Sequence, residues 1–389
     1  CKPMKGTSKR GRTLKEDIAL MKELKNSEKD KAENIMITDM LRNDMGKISD
    51  TGSVKVLSEF DIEKYPTVWQ MTSSVKSQTR ASITAIFEAL FPCASVTGAP
   101  KVSSMKIISE IEDQPREIYT GAIGYIAPNN EAQFSVPIRT ILSNKKIDRS
   151  VYGTGSGIVW DSEWEKEWDE CQNKSAILSV SHQNFELFET MRWDSNRGIF
   201  LEELHLNRLK DSAEFYNFKF SRKKINDKLH DYLKNLEPES EKIIRLFLAK
   251  DGETRLTTSA YKEHNKDKTH LISLAIQPVD SDDLSLYHKT TIRGIYEDAT
   301  GENPDCDDIL LWNEDGHITE STISNIIFKK DSEYFTPPIS CGLLGGTYRT
   351  HLINQGHLVE RIIPKTEINL YSEIYLINSV RGKYPVKLI

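Results

Sequence analysis

The sequence has no apolar run near the ~20 residues that a membrane-spanning helix needs. It has no excess of basic charge. The net charge is −6, so the electrostatic footprint of a nucleic-acid binder is absent. Cysteine is scarce: Cys1, Cys93, Cys171, Cys306 and Cys341 are all there are, and no two form a CxxC pair. That excludes a zinc ribbon and a disulfide framework, and predicts reduced thiols in a cytoplasmic protein. There is no signal-peptide pattern, internal repeat or low-complexity linker. The chain opens on Cys1 rather than Met, which predicts that it is cut from a longer one.

What is there reads as soluble and globular, with 38% hydrophobic and 28% charged residues among 389. At ~150 residues per domain, that length predicts two or three domains. Residues 1–12 are basic and read as a loop. Thr13 and Glu16 form a capping-box pattern, followed by Leu14, Ile18, Met21 and Leu24 at helical spacing. A second helix is expected over Asp30–Asn43. The stretches 119–128, 132–142 and 149–160 read as an antiparallel meander, and Ser162–Leu178 as a helix. Near residue 182 the character changes. A strand is expected over 185–193, a helix over Leu201–Tyr216, and strands over Ile243–Leu248 and His270–Ile276.

In the first half, the expected helix 162–178 carries Glu167, Glu170 and Lys174 along one face, and Asp30 and Glu33 sit three apart in another helix. Two acidic faces across a pocket supply the hard oxygens that Mg²⁺ takes, although such pairs are more often solvated faces. Thr97-Gly98-Ala99-Pro100-Lys101 is a small-residue turn ending in a cation. Gly153-Thr154-Gly155-Ser156-Gly157 can present N–H groups to an anion. It is not a dinucleotide fingerprint, because a strand-like Ile158-Val159-Trp160 follows it. Arg139 suits a carboxylate, or a surface ion pair.

Several motifs carry a resemblance. Pro3-Met4-Lys5-Gly6-Thr7, Ala32-Glu33-Asn34, Asp39 to Asp44, Gly52-Ser53-Val54, Thr97 to Lys101, Ile138-Arg139-Thr140, Gly155 to Val159 and Glu163 to Glu170 occur in the order found in chorismate-utilising enzymes. The resemblance covers about residues 1–180. It implies Mg²⁺ at Glu33 and Glu170, with Asp30 and Glu167 behind them. Arg139 and the Gly155–Gly157 backbone match positions that hold carboxylates, and Thr97, Gly98 and Lys101 belong to a further matched motif. A lysine at position 5 resembles the aminodeoxychorismate synthase branch rather than the anthranilate synthases, where alanine stands. It implies that Lys5 attacks C2 of chorismate and expels the C4 hydroxyl, after which ammonia attacks C4 and releases the lysine. That chemistry needs a neutral amine. Only the C-terminal half of that domain is matched. No glutamine amidotransferase segment is present, so ammonia is expected from such a partner subunit or from solution.

In the second half, Lys289, Glu320 and the turn Gly342 to Arg349 are residue types that can hold a pyridine cofactor by an amine, a carboxylate and a helix N-terminus. Phe188-Glu189-Thr190-Met191-Arg192, His205-Leu206-Asn207-Arg208-Leu209, Lys289, Glu320 to Asn325, Thr336-Pro337-Pro338 and Gly342 to Arg349 look like class IV pyridoxal-phosphate enzymes. By that resemblance Lys289 carries the cofactor and Glu320 partners its ring nitrogen. Arg208, Thr347 and Ser379 match phosphate contacts. Ile292, Ile327 and Gly345 depart from the pattern, where Asn, an aromatic residue and Pro are usual.

The resemblances imply an α/β chorismate-binding domain (residues 1–182, the C-terminal part of an anthranilate-synthase-like fold with a large, mostly antiparallel sheet). They imply an α+β two-subdomain class IV domain, D-amino-acid aminotransferase-like, over 183–389. Together they imply 4-aminobenzoate formation from chorismate through aminodeoxychorismate, with Mg²⁺ and pyridoxal phosphate as cofactors. The alternatives are an anthranilate- or isochorismate-type synthase fused to an amino-acid aminotransferase, and a non-catalytic fragment that binds a partner.

Overall fold

The computed structural model describes residues 1–129, 131–160, 162–179, 184–237, 241–263 and 269–389. The chain divides into two units, Cys1–Arg10 with Ile18–His182, and Gly11–Asp17 with Gln183–Ile389. The boundary expected near residue 182 lies outside the described residues.

The segment expected to be a basic loop instead contains the strand Met4–Lys9. It pairs with Val68–Lys76, the centre of a three-stranded antiparallel sheet completed by Lys55–Lys64. Lysines with Gly6 between them carry no apolar alternation, so the strand left no trace in the pattern. Its order comes from partners sixty residues away, such as Thr7 opposite Gln70. The Thr13 signal begins the helix Leu14–Asn26. The Glu16 N–H donates to Thr13 Oγ1 at 3.3 Å, while the Glu16 carboxylate accepts from the Arg12 N–H at 3.0 Å. The second helix runs Glu28–Gly46, longer than expected, because Ser27 caps it by accepting from the Asp30 N–H at 3.2 Å.

The expected meander is divided. Ile123–Ile126 pairs with Ala132–Ser135, and Ile141–Asn144 with Arg149–Tyr152, as two separate hairpins. No strand covers 153–160, where three glycines within five residues offer little to pack. Among the described residues the expected large sheet is therefore three small ones. The helix expected over 162–178 spans Trp164–Ser175 and tightens into a 3-10 turn at Ala176–Ser179.

Among its described residues the second unit holds two sheets. A four-stranded antiparallel sheet has Leu187–Asp194 between Lys242–Leu248 and the short Gly198–Ile199, with Thr254–Ala260 at the edge. Leu187, Met191 and Trp193 face one way along the strand and pack with Leu206, Leu209, Ile244 and Leu246. The helix Glu202–Tyr216 covers that core. The second sheet has eight strands, mixed parallel and antiparallel, over a core that includes Ile272, Leu310, Ile326 and Phe328. Ile327, one of the departures from the family pattern, is buried against Leu358 and Ile377.

Among the described residues no single helix is long and apolar enough to cross a membrane. One bent pair, Ile83–Val96 and Lys101–Ile111, passes by length and composition together. All five cysteines are free thiols.

Candidate functional site

In the first unit, Lys5 stands where the pairing of its strand slips, between Met4 and Thr7. A slipped register leaves backbone groups without ladder partners and re-aims side chains. Here the carbonyls are taken by amides. Asn34 Nδ2 donates to the Lys5 oxygen at 3.1 Å, and Gln70 Nε2 to the Gly6 oxygen at 2.7 Å. Gly6 has φ +97°, a left-handed conformation, and Asp30 Oδ1 lies 3.2 Å from where its Cβ would stand. Buried Asn34 also accepts from Ser73 Oγ at 2.5 Å. These bonds stitch the helix Glu28–Gly46 to the strand and bring Glu33 beside Lys5, Nζ to Oε2 3.2 Å. Lys5 Nζ is also 3.2 Å from the position of a Cβ on Gly157, so a side chain there would press on the amine.

A second group forms around Lys174. Its ammonium donates to the Gly155 oxygen at 3.0 Å and pairs with Glu170 one turn earlier. Arg139 Nη1 and the Tyr152 hydroxyl donate to the Lys174 carbonyl at 3.0 and 3.2 Å. The Ser156 and Ser162 hydroxyls hold the Glu167 carboxyl below its ordinary value. Thr97, Gly98 and Lys101 have other partners. Thr97 Oγ1 donates to the Cys93 and Ala94 carbonyls at 3.3 Å, Gly98 has φ +113°, and Lys101 pairs with buried Asp44 at 3.3 Å.

Among the described residues, no cluster of three or more His, Cys, Asp or Glu gathers for a metal. Mg²⁺ needs only one or two protein carboxylates beside water and substrate oxygens. Glu33 and Glu170 have that donor chemistry and are partly exposed. To serve a metal, each would exchange its lysine partner for the ion.

In the second unit, Glu189 points the same way as Leu187, Met191 and Trp193, a carboxylate on an apolar strand face. The helix Glu202–Tyr216 brings His205 and Arg208 to it from one face. Arg208 donates from Nε at 2.9 Å and Nη2 at 2.6 Å to the two oxygens, and His205 Nδ1 lies 2.7 Å from Oε2. Burial alone would raise the Glu189 carboxyl, but the charges of Arg208 and His205 hold it at about 2. Arg208 Nη1 donates to the Gly345 oxygen at 3.2 Å, and His205 Nε2 is 3.3 Å from Thr347 Oγ1. The network thus ends where the helix Thr347–Asn354 begins. A side chain at Gly346 would displace Asn325, since a Cβ would stand 1.9 Å from Asn325 Oδ1.

Lys289 is half-buried. Its carbonyl accepts from the Phe188 N–H at 3.0 Å, and its Nζ sits 4.6 Å from the Phe188 ring centre. Burial and the Arg208 charge push its amine down to about 8. Glu320 is buried at the strand Ile318–Ser321. It accepts from the Tyr296 hydroxyl at 2.9 Å, Asn325 Nδ2 at 3.0 Å and the Leu344 N–H at 3.1 Å. Burial nonetheless pushes the carboxyl up to about 7. Ser379 is buried between the strands Glu373–Asn378 and Gly382–Leu388. An amine of lowered basicity, a buried carboxylate and a glycine-formed cradle beside an arginine fit pyridoxal phosphate.

Sequence reasoning named Lys289, Glu320, Arg208, Thr347 and Ser379 but gave no role to Glu189, His205, Tyr296 or Asn325. For Glu189 a signal existed: a lone acid in register with Leu187, Met191 and Trp193 on an inward face.

Residues 186–389 match the amino-transferase class IV family model, and residues 1–179 match that of the chorismate binding enzymes. Anthranilate synthase component 1 of Aquifex aeolicus is 42% identical over 180 residues, 46% of this chain and 36% of that protein. Aminodeoxychorismate synthase of Streptomyces griseus is 41% identical over 179 residues, 46% of this chain and 24% of that protein. The chain thus spans about a third or less of these two relatives' length. A solved structure from Mesorhizobium loti, described as an amino-acid aminotransferase, is 33% identical with a TM-score of 0.51. It is covered in full by 53% of this chain. With a class IV fold goes a pyridoxal-phosphate cofactor. The chain belongs to the amino-transferase class IV family through residues 186–389, and ahead of that domain it carries a chorismate binding enzyme domain.

Proposed function

We propose that this chain catalyses two consecutive steps of 4-aminobenzoate formation. Residues 1–182 would aminate chorismate to 4-amino-4-deoxychorismate, and residues 183–389 would split that product into 4-aminobenzoate and pyruvate. One observation carries the reading: a chorismate-type domain whose Lys5 stands 3.2 Å from Glu33 is joined on one chain to a class IV domain with Lys289 and Glu320.

In the first step, Lys5 would attack C2 and expel the C4 hydroxyl, and ammonia would then attack C4 and release the lysine from C2. The ammonia is expected from a glutamine amidotransferase partner. Glu33 and Glu170, with Asp30 and Glu167 behind them, would hold Mg²⁺, whose charge neutralises substrate carboxylates. Arg139, the Gly155–Gly157 backbone and the Thr97, Gly98 and Lys101 turn would bind substrate. The five free thiols support a cytoplasmic setting.

In the second step, Lys289 would hold the cofactor, Glu320 its ring nitrogen, and Arg208, Thr347 and Ser379 its phosphate. Bound pyridoxal phosphate supplies an electron sink. Lys289, of lowered basicity, then takes the proton from the carbon bearing the amine. Loss of the enolpyruvyl group as pyruvate leaves an aromatic ring, so no amino-group acceptor is consumed.

The likeness to the Mesorhizobium loti structure favours a second reading for the class IV domain, amino-acid transamination. The deciding assay gives the full chain aminodeoxychorismate with no 2-oxo acid. Stoichiometric 4-aminobenzoate and pyruvate support the lyase. Turnover that requires a 2-oxo acid and transfers the amine to it supports the aminotransferase.

A further inference from the structure

We propose that Arg293 holds a carboxylate of the substrate in the class IV site. The inference deepens the lyase reading and rests on it for the choice of ligand. Arg293 follows Lys289 by four residues and precedes the helix Gly294–Thr300. Its Nη2 donates to the Thr322 carbonyl at 2.7 Å, and its guanidinium carbon lies 4.5 Å from the Tyr296 ring centre. Tyr296 is the residue whose hydroxyl donates to Glu320, and Thr322 follows Glu320 by two. Arg293 is thus fastened on both sides to the surroundings of Glu320.

Its pairing differs from that of the arginines held by an acid. In the same unit Arg192 meets Glu241, Arg208 meets Glu189 and Arg349 meets Glu360. Among the described residues Arg293 makes no ion pair. It is half-buried, so a ligand can reach it, and only one of its five N–H donors is engaged with a carbonyl. Its charge adds to burial and Arg208 in lowering the Lys289 amine, and it acts on Glu320 and Tyr296 as well. A partly desolvated guanidinium fastened next to Tyr296 and Thr322, whose charge reaches the reactive amine, is completed by a planar anion that it can grip at two points. Aminodeoxychorismate has a ring carboxylate across the ring from its amine. With the amine at Lys289, that carboxylate is the group for Arg293 to take.

The test uses the full chain loaded with pyridoxal phosphate and reads ligand affinity from the cofactor's visible band. In the wild type, 4-aminobenzoate should bind at least about tenfold tighter than aniline, which lacks only the carboxylate. In Arg293→Gln the margin should fall to about twofold or less, with aniline affinity and the free band unchanged. Arg293→Lys, a charge without the planar fork, should keep part of the margin. Alanine against ethylamine, titrated alongside, separates this inference from the lyase reading. A margin for that pair alone, lost in Arg293→Gln, would keep Arg293 as carboxylate holder and refute the lyase. No margin for either pair, or margins that survive Arg293→Gln, would overturn the role of Arg293. If Arg293→Gln does not hold the cofactor, a margin in Arg293→Lys equal to that of the wild type overturns it.

Discussion

Glu189 and Arg208 are joined at two points, Nε to Oε1 at 2.9 Å and Nη2 to Oε2 at 2.6 Å, across the interior of the four-stranded sheet and its helix. His205 closes on the same carboxylate at 2.7 Å. The arginine expected at the cofactor's phosphate therefore has its orientation set by a buried acid.

Glu189→Gln leaves Arg208 without its counter-charge. Breaking a buried pair from one side costs on the order of 3–5 kcal/mol. The variant should melt earlier and release pyridoxal phosphate faster, read by calorimetry and dialysis. Unchanged melting and cofactor retention would refute the anchoring role.

The same carboxylate makes stability depend on pH. Its folded value is about 2 against an ordinary 4.5, so the folded state resists protonation. The stabilisation is fully present above about 4.5 and is lost as pH falls towards 2, amounting to about 3 kcal/mol. Urea titrations at stepped pH should show a steeper loss in the wild type than in Glu189→Gln over that window.

Lys289 reacts with an aldehyde only when neutral, and its amine is pushed down to about 8. The rate of pyridoxal phosphate capture by cofactor-free protein should rise with pH and level off above about 8. Borohydride should bleach the visible band, and Lys289→Ala should never develop it. An inflection near 10.5 would show that burial does not tune this amine.

In the full-length protein, Lys5→Ala should abolish aminodeoxychorismate formation from chorismate and ammonia. Lys5 and Glu33 are both partly exposed, so their separation should cost less than about 1 kcal/mol of stability. Mass spectrometry of the wild type with chorismate but no ammonia should find an adduct on the Lys5 peptide. A variant as fast as the wild type returns Lys5 to an ordinary surface cation.

Glu170→Ala in the full-length protein should stop the amination at every Mg²⁺ concentration and leave the pyruvate-releasing step intact. Loss of both activities in a folded protein would contradict two independent sites.

Much of this was legible in the chain. Lys289 and Glu320 are residue types that suit an amine and a carboxylate partner, Arg208 stands in a motif that resembles a phosphate contact, and the helix expected over Leu201–Tyr216 is found at Glu202–Tyr216. Other elements were not. Met4–Lys9 becomes a strand only through hydrogen bonds to Val68–Lys76 and through Asn34 and Gln70. The three stretches expected as one meander separate into hairpins, because alternation reports a strand but not its neighbour.

The sequence by itself determined which groups the protein carries: two candidate reactive lysines, paired acids and glycine turns, in the order of two enzyme families. Only the tertiary structure decided what each group faces. It put Lys5 against Glu33, tied Glu170 to Lys174, shut Glu189 in with Arg208 and His205, and among the described residues left Arg293 without an ion pair. The reason is physical: residue type and local spacing fix a group's chemistry, but its charge balance depends on burial and on partners remote in the chain. Glu189 is held at about 2 and Glu320 is raised to about 7, two glutamates with the same ordinary value. They differ because folding gave one a guanidinium and the other mostly neutral donors.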